Sequence, residues 1–346
     1  MKKKSLRIFL LLGLLLTLAS CGKKETKNQV NIYNAGEYID KELLTKFEKE
    51  TGIKVIYDTF VNNEDLYVKM KKAGSQFDLV MPSDYMIEKM IKEDMLDKID
   101  FSHIPNYKYI DDIYKGLDYD PANEYSIPYF WGTVGILYNT DLVDEKIDSW
   151  DVLWDEKYKN EIIMLDSSRD SIGISLTRLG YSSNSKDDSQ LEEAKLALSD
   201  QFPLVYAYLV DETKDIMVNG DAKLAVVYSG SAVEARDEND ALEYAIPKEG
   251  SNLWFDSMVI PKNAKNKENA EKFINFILEP ENAAQNAEYV GYSLPSSKAA
   301  SLLDEEVRND YVAYPEESVI ENLEVFRDPG DYVEVYDQIW QYVKNN

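Results

Sequence analysis

The sequence predicts an α/β protein of two lobes, each a parallel or mixed sheet flanked by helices. Three observations carry this. Short β-branched and aromatic runs alternate with helical stretches, the pattern of strands whose crossovers are helices. The alternation occurs twice, on either side of a Tyr/Asp/Asn/Pro-rich stretch at 107–129. Setting aside an apolar leader of 20 residues leaves 326 of 346, the size of two domains at about 100–200 residues each.

In the first unit, Val30-Asn31-Ile32-Tyr33 reads as a strand, and Leu43, Leu44 and Phe47 mark one face of a helix that stops at Thr51-Gly52. Val55-Ile56-Tyr57 is the next strand, 64–72 the next helix, and 77–81 a third strand halted by Pro82. In the second unit, 134–139, 162–165 and 224–228 read as strands and 171–179 and 190–198 as helices. Beyond Trp254, Met258-Val259-Ile260-Pro261 reads as a returning strand, followed by helices at 267–278 and 280–289 and a last amphipathic helix near 331–343.

The first residues have a different character. Basic Met1-Lys2-Lys3-Lys4-Ser5-Leu6-Arg7 precedes an apolar run from Ile8 to Ala19, the form of a secretory signal peptide. Twelve residues are too few to span a bilayer, which needs roughly 20. Leu18-Ala19-Ser20-Cys21-Gly22 resembles the lipobox of bacterial lipoproteins, so residues 1–20 are expected to be removed and Cys21 to carry the lipid that anchors the protein to a membrane. The Lys-rich segment after it, residues 21–29, reads as a flexible tether.

Cys21 is the only cysteine, which leaves no intramolecular disulfide and no cysteine-based metal cluster. The formal charge of −26 becomes −30 once the four leader bases are gone. Nucleic acid is therefore a poor partner for the folded part. Much of that charge is a solubility device, and it also suits attraction of cations into a cleft.

Catalytic signatures are missing. The single histidine, His103, sits in a polar segment with no second His or Cys to share a metal, and reads as solvated or locally hydrogen-bonded. No phosphate-binding glycine loop occurs, and Gly230-Ser231 lacks nucleophile-elbow spacing. With 64 acidic residues, chance carboxylate pairs are common and do not make an acid/base site. No enzyme and no cofactor is expected.

What does recur lies at the strand ends, where open α/β sheets bind ligands. The first strand leads to Asn34-Ala35-Gly36-Glu37-Tyr38 and the third to Pro82-Ser83-Asp84-Tyr85. The strand at 162–165 leads to Asp166-Ser167-Ser168-Arg169-Asp170, that at 224–228 ends at Tyr228-Ser229-Gly230-Ser231, and the crossing segment carries Trp254-Phe255-Asp256-Ser257. An ammonium taken from water needs a hydrogen-bonded counter-charge, and aromatic faces add cation–π attraction of about 0.5–2 kcal/mol each while covering methylenes. Carboxylates with Tyr and Trp therefore suit a diamine or polyamine.

Five strings carry a family resemblance: residues 47–55 (FEKETGIKV), 77–83 (FDLVMPS), 125–129 (YSIPY), 254–257 (WFDS) and 263–268 (NAKNKE). In this order they resemble the spermidine/putrescine-binding receptors of bacterial polyamine ABC transporters. The resemblance implies a type II periplasmic-binding-protein fold with the ligand between lobes, lobe 1 comprising 28–133 and 258–302, lobe 2 comprising 134–257 and 303–346. It implies ligand contacts from Glu37, Tyr38, Ser83, Tyr85, Trp254, Asp256 and Tyr292, with Asp170 in place of a family Glu and Tyr228 in place of a Trp. Three positions depart: Ala35 for an aromatic, Ser167 for an Asp, and Arg327 for a Gln. The implied partners are putrescine or spermidine and an ABC permease, for a monomeric receptor. Two other readings stay open at this point: a sensor presenting the same ligand to a membrane signalling protein, and a receptor for an amino-acid-like solute whose carboxylate Arg327 would capture if it faced the cleft.

Overall fold

The computed structural model describes residues 28–73 and 76–345. The expected signal peptide and Cys21 lie outside the described residues. Asn28 and Gln29, at the end of the expected tether, belong to the folded part. Gln29 already opens the first strand, and the Asn28 side chain donates to the Gly52 carbonyl at 3.0 Å.

β1 (Gln29–Ala35) pairs in parallel with β2 (Lys54–Phe60) and β3 (Leu79–Val80). Between β1 and β2 runs α1 (Lys41–Thr51). The Asp40 carboxylate accepts from the Glu42 N–H at its start, and Gly52 ends it at φ 69° with its N–H on the Glu48 carbonyl, a left-handed cap that costs glycine little. Its inner face buries Leu43 and Phe47, the latter edge-on to Phe273 and Phe276 at 5.0 and 5.3 Å. α2 (Asn63–Ala73) leads to β3, and α3 (Asp84–Lys92) and β4 (Leu96–Asp97) follow it.

β5 (Ser126–Asn139) is a strand of 14 residues, almost wholly buried. The sequence pattern starts it eight residues later, at Val134, beyond the Tyr/Asp/Asn/Pro-rich stretch at 107–129. The structure accommodates Pro128 at a bulge. Against the antiparallel β10 (Leu253–Pro261), Asp256 faces Phe130 and Ser257 faces Pro128, leaving Tyr129 as the extra residue. The Ser257 N–H turns to the Pro82 carbonyl at 3.1 Å instead.

The second half contains β6 (Ile162–Leu165), α4 (Ser168–Arg178), α5 (Asp188–Gln201), β7 (Val205–Leu209), α6 (Thr213–Asn219), β8 (Leu224–Tyr228), α7 (Ser229–Glu238) and β9 (Leu242–Ala245). α8 (Lys267–Ile277) and α9 (Pro280–Val290) return to the first half. Strand order is β2-β1-β3-β10-β5-β8-β6-β7, so β10 and β5 join the halves, with β4 added to β10 and β9 to β5. A third connection runs beside them, where the Leu253 N–H donates to the Glu324 carbonyl, the Glu324 N–H donates to the Ser251 carbonyl, and the Glu324 carboxylate accepts from Ser182 and Ser183. The last described element is the helix Val333–Asn345, whose Tyr336, Ile339 and Val343 pack with Ile172, Leu176, Leu191 and Leu198. No helix among the described residues is long and apolar enough to cross a membrane.

Candidate functional site

The carboxyl ends of β1, β3, β6 and β8 converge on a cleft of about 380 Å³ between the halves, closed at its base by β10. Tyr38, Ser83, Tyr85, Ser167, Asp170, Tyr228, Trp254, Asp256 and Tyr292 all line it. Glu37 stands just outside, exposed and at φ 49°, where its charge reaches Asp211 and Glu234 on the opposite half.

Arg327 is not on the cleft. Its Nε and Nη2 donate to both carboxylate oxygens of Glu88 at 3.0 Å, and Nη1 donates to Asp118 at 3.0 Å. Its backbone N–H is held by Asn184. The sequence-based expectation of a cleft-facing guanidinium meets a simple obstacle: a bidentate carboxylate on α3 and a second acid hold the side chain from outside.

Four rings form one wall. Tyr228 meets Trp254 at 6.1 Å, Trp254 meets Tyr292 at 4.9 Å, and Tyr292 meets Tyr38 at 5.4 Å, all edge to face. Their positions depend on two glycines on the neighbouring strand and helix. A Cβ on Gly132 would lie 2.5 Å from the Trp254 ring, and one on Gly230 would lie 2.3 Å from the Tyr292 ring.

Two carboxylates face this wall. Asp256 receives the Tyr38 hydroxyl on Oδ2 at 2.6 Å, while its Oδ1 is sealed from solvent without a partner. Asp170 receives the Tyr228 hydroxyl on Oδ2 at 3.0 Å, and its Oδ1 is likewise sealed and unpartnered. Asn252, two residues before Trp254, adds a third unpartnered acceptor, its Oδ1. Burial pushes the Asp256 carboxyl up to about 6, opposed by the Ser83 and Tyr38 hydroxyls. Burial also raises Asp170, opposed by Ser167, Tyr228 and Arg169. The Tyr38 and Tyr228 phenols are pushed well above their usual range by burial and by the adjacent carboxylates, so they remain neutral donors.

Ser167 caps α4, its hydroxyl accepting from the Asp170 N–H at 3.3 Å. The Tyr85 hydroxyl is given to Glu64 at 3.0 Å. The lining holds six acids, Glu64, Asp84, Asp166, Asp170, Asp211 and Asp256, and no Lys or Arg, a charge balance that favours a cation over an anion.

Sequence reasoning passed over Glu64, Asp211 and Asn252. Asn252 escaped because the crossing strand was started at Met258, which hid that it abuts a strand end. His103 lies far from the cleft with Nδ1 2.6 Å from the buried Glu271. No group of three or more His, Cys, Asp or Glu among the described residues is placed to hold a metal.

Residues 42–315 match the family described as bacterial extracellular solute-binding protein. The chain is 41% identical to the spermidine/putrescine-binding periplasmic protein of Escherichia coli over 345 residues, 99% of each chain. Among solved structures, the spermidine/putrescine ABC transporter substrate-binding protein PotD of Streptococcus pneumoniae is similar at 46% identity and TM-score 0.78, over 91% of this chain and 99% of that one. The Tp0655 (TpPotD) lipoprotein of Treponema pallidum is similar at 29% identity and TM-score 0.84, over 91% and 99%. The fold is the two-lobed type II periplasmic-binding-protein fold, and the chain belongs to the bacterial extracellular solute-binding proteins, among the relatives of the spermidine/putrescine-binding proteins.

Proposed function

We propose that this protein is a lipid-anchored, extracytoplasmic receptor that captures putrescine or spermidine between its lobes and delivers it to an ABC transporter permease. The observation that carries the reading is the pair of sealed, unpartnered oxygens, Asp170 Oδ1 and Asp256 Oδ1, in a cleft with six acids and no base. An unpaired buried acceptor costs about 1–3 kcal/mol, more when charged, and each of these lacks a donor that an ammonium N–H would supply. The Tyr228–Trp254–Tyr292–Tyr38 wall covers the methylenes between two such ammoniums.

The reading of an amino-acid-like ligand loses its support, because it rested on Arg327 facing the cleft and Arg327 is held by Glu88. The polyamine names of the relatives favour an amine, and the lipoprotein description of the Treponema relative agrees with a lipid on Cys21. The lobes are taken as 28–133 with 258–302 and 134–257 with 303–346, closing as a monomer about the β5–β10 connection, since only a shut cleft desolvates the cation.

Calorimetric titration of the mature, tag-free protein with putrescine, cadaverine, spermidine, spermine and an amino-acid panel tests this. Saturable binding confined to the amines supports it. Binding of an amino acid and of no amine sinks it.

A further inference from the structure

Behind the cleft sits a cation that no carboxylate neutralises by direct contact. Arg169 opens α4 beside Asp170 and is 5% exposed. Its guanidinium lies over Phe326 at 4.4 Å, Tyr336 at 4.7 Å and Tyr85 at 5.9 Å. Nη2 donates to Asn184 Oδ1 at 3.1 Å, while Nε and Nη1 are buried with no partner. Among the described residues Arg169 has no ion pair within 4 Å, although most other Arg and Lys side chains of the second half do. A buried guanidinium held by rings and one amide, rather than by a carboxylate, acts on its acidic neighbours through its field.

We propose that Arg169 is a positioning residue that holds Asp170 anionic in the empty cleft, so that the two ends of the ligand site differ: Asp170 accepts an ammonium without exchanging a proton, and Asp256 gives one up. This deepens the amine-receptor reading and rests on it for the ligand.

The surroundings of the two carboxylates support the asymmetry. Asp170 is faced on its own helix by Arg169 and the Ser167 cap, from β8 by the Tyr228 hydroxyl, from the crossing segment by Asn252, and from α2 and α3 across the cleft by Glu64 and Tyr85. Asp256 is faced by the Tyr38 and Ser83 hydroxyls, by the Tyr228, Tyr292, Tyr119 and Tyr129 phenols, and by the buried Asp84. A cation therefore stands beside one carboxylate, and neutral or acidic groups surround the other. Asp84, which accepts from the Phe255 and Tyr85 N–H groups, also feels Arg169, but it is pushed well up by burial.

Carbon-13 NMR of aspartate carboxyls in the empty, full-length mature protein reads this directly, with each line assigned by its loss in Asp170→Asn or Asp256→Asn. Asp170 should titrate below Asp256. In Arg169→Gln its midpoint should rise by about 1 pH unit or more. Putrescine binding at pH 6.5 should then release more protons than in the wild type, read from the buffer dependence of the binding enthalpy, and Arg169→Lys should restore both. An Asp170 midpoint at or above that of Asp256 in the wild type overturns the proposal, as does a folded Arg169→Gln variant with an unmoved Asp170 midpoint. If Arg169→Gln does not fold, the wild-type titration and the Lys variant decide. A wild type that binds neither putrescine nor spermidine defeats the amine reading instead, and the titration of the empty protein still judges Arg169.

Discussion

The Tyr38 phenol donates to Oδ2 of Asp256 at 2.6 Å, which leaves Oδ1 of the same carboxylate sealed, unpartnered and on the cleft. A neutral donor on one oxygen fixes the rotation of the carboxylate without cancelling its charge. Tyr228 does the same for Asp170 at 3.0 Å. Each end of the cleft is thus built from an aromatic hydroxyl that aims an acid.

Asp256→Asn keeps the volume and removes the charge, so it should weaken amine binding by about 1.5–3 kcal/mol, the scale of a charge-assisted hydrogen bond. The pH dependence follows from the carboxyl standing at about 6, above the roughly 3.9 of an unfolded chain. The folded, empty protein binds this proton more tightly than the unfolded chain does, so the Asp256 contribution to stability is full below about pH 4 and is lost as pH rises through 6. Binding runs the other way, because an ammonium needs the carboxylate. Affinity should climb as pH rises through 6 and level off above about 7. A pH-independent Kd from 5 to 7.5, or an Asn variant with wild-type affinity, removes Asp256 from the site.

Gly230→Ala should damage the aromatic wall without touching a charge. The new methyl would lie 2.3 Å from the Tyr292 ring, and a Cβ on Gly291 would in turn lie 3.1 Å from the Gly230 carbonyl oxygen, so the segment is tightly packed and the ring must move. We expect a stability loss of about 1–3 kcal/mol by thermal unfolding, and amine affinity lowered by tenfold or more. Retained affinity for both putrescine and spermidine would show that Tyr292 does not cover the ligand.

Ser167→Asp tests the charge balance at the Asp170 end. Aspartate caps a helix as well as serine does, so α4 should survive. The added carboxylate should raise spermidine affinity relative to putrescine by tenfold or more, about 1.4 kcal/mol. A ratio that stays put, or a wild type that already prefers spermidine strongly, shows that the residue at 167 does not set ligand length.

Arg327→Gln should alter stability and leave ligand preference alone. Although burial works against its ionisation, the Arg327 guanidinium, the Asp328 N–H and Lys92 hold the Glu88 carboxyl down at about 2. That contribution is present above the unfolded value near 4.3 and is lost as pH falls toward 2. Arg327 is itself 39% exposed, so solvent screening limits the loss at pH 7 to about 1 kcal/mol, shrinking toward zero near pH 2. A spermidine-to-putrescine ratio shifted fivefold or more would place Arg327 on the ligand after all.

The sequence by itself determined the elements whose information is local. The Leu43/Phe47 stripe with Gly52 behind it, the strands at 162–165 and 224–228, and the helices α8 and α9 are written in periodicity and caps, and each forms where the pattern places it. The aromatic and acidic residues at the strand ends were legible too, because the end of a parallel strand is the same place in any such sheet. Other features came only with the tertiary structure. β5 runs through Pro128 because it bulges at Tyr129 against β10, and the edge strand β7 and the helices α6 and α7 took shape without a local signal strong enough to read, whereas α3 carries a helical stripe of Met86, Ile87 and Met90 behind Ser83 that sequence reasoning passed over. Arg327 lies 239 residues from the Glu88 that holds it, and Tyr38 lies 218 from the Asp256 it orients. Which carboxylate oxygens stay unpartnered, and that Arg169 stands behind one of them, depends on such distant pairings, since a side chain's partner is fixed by packing and not by its place in the chain.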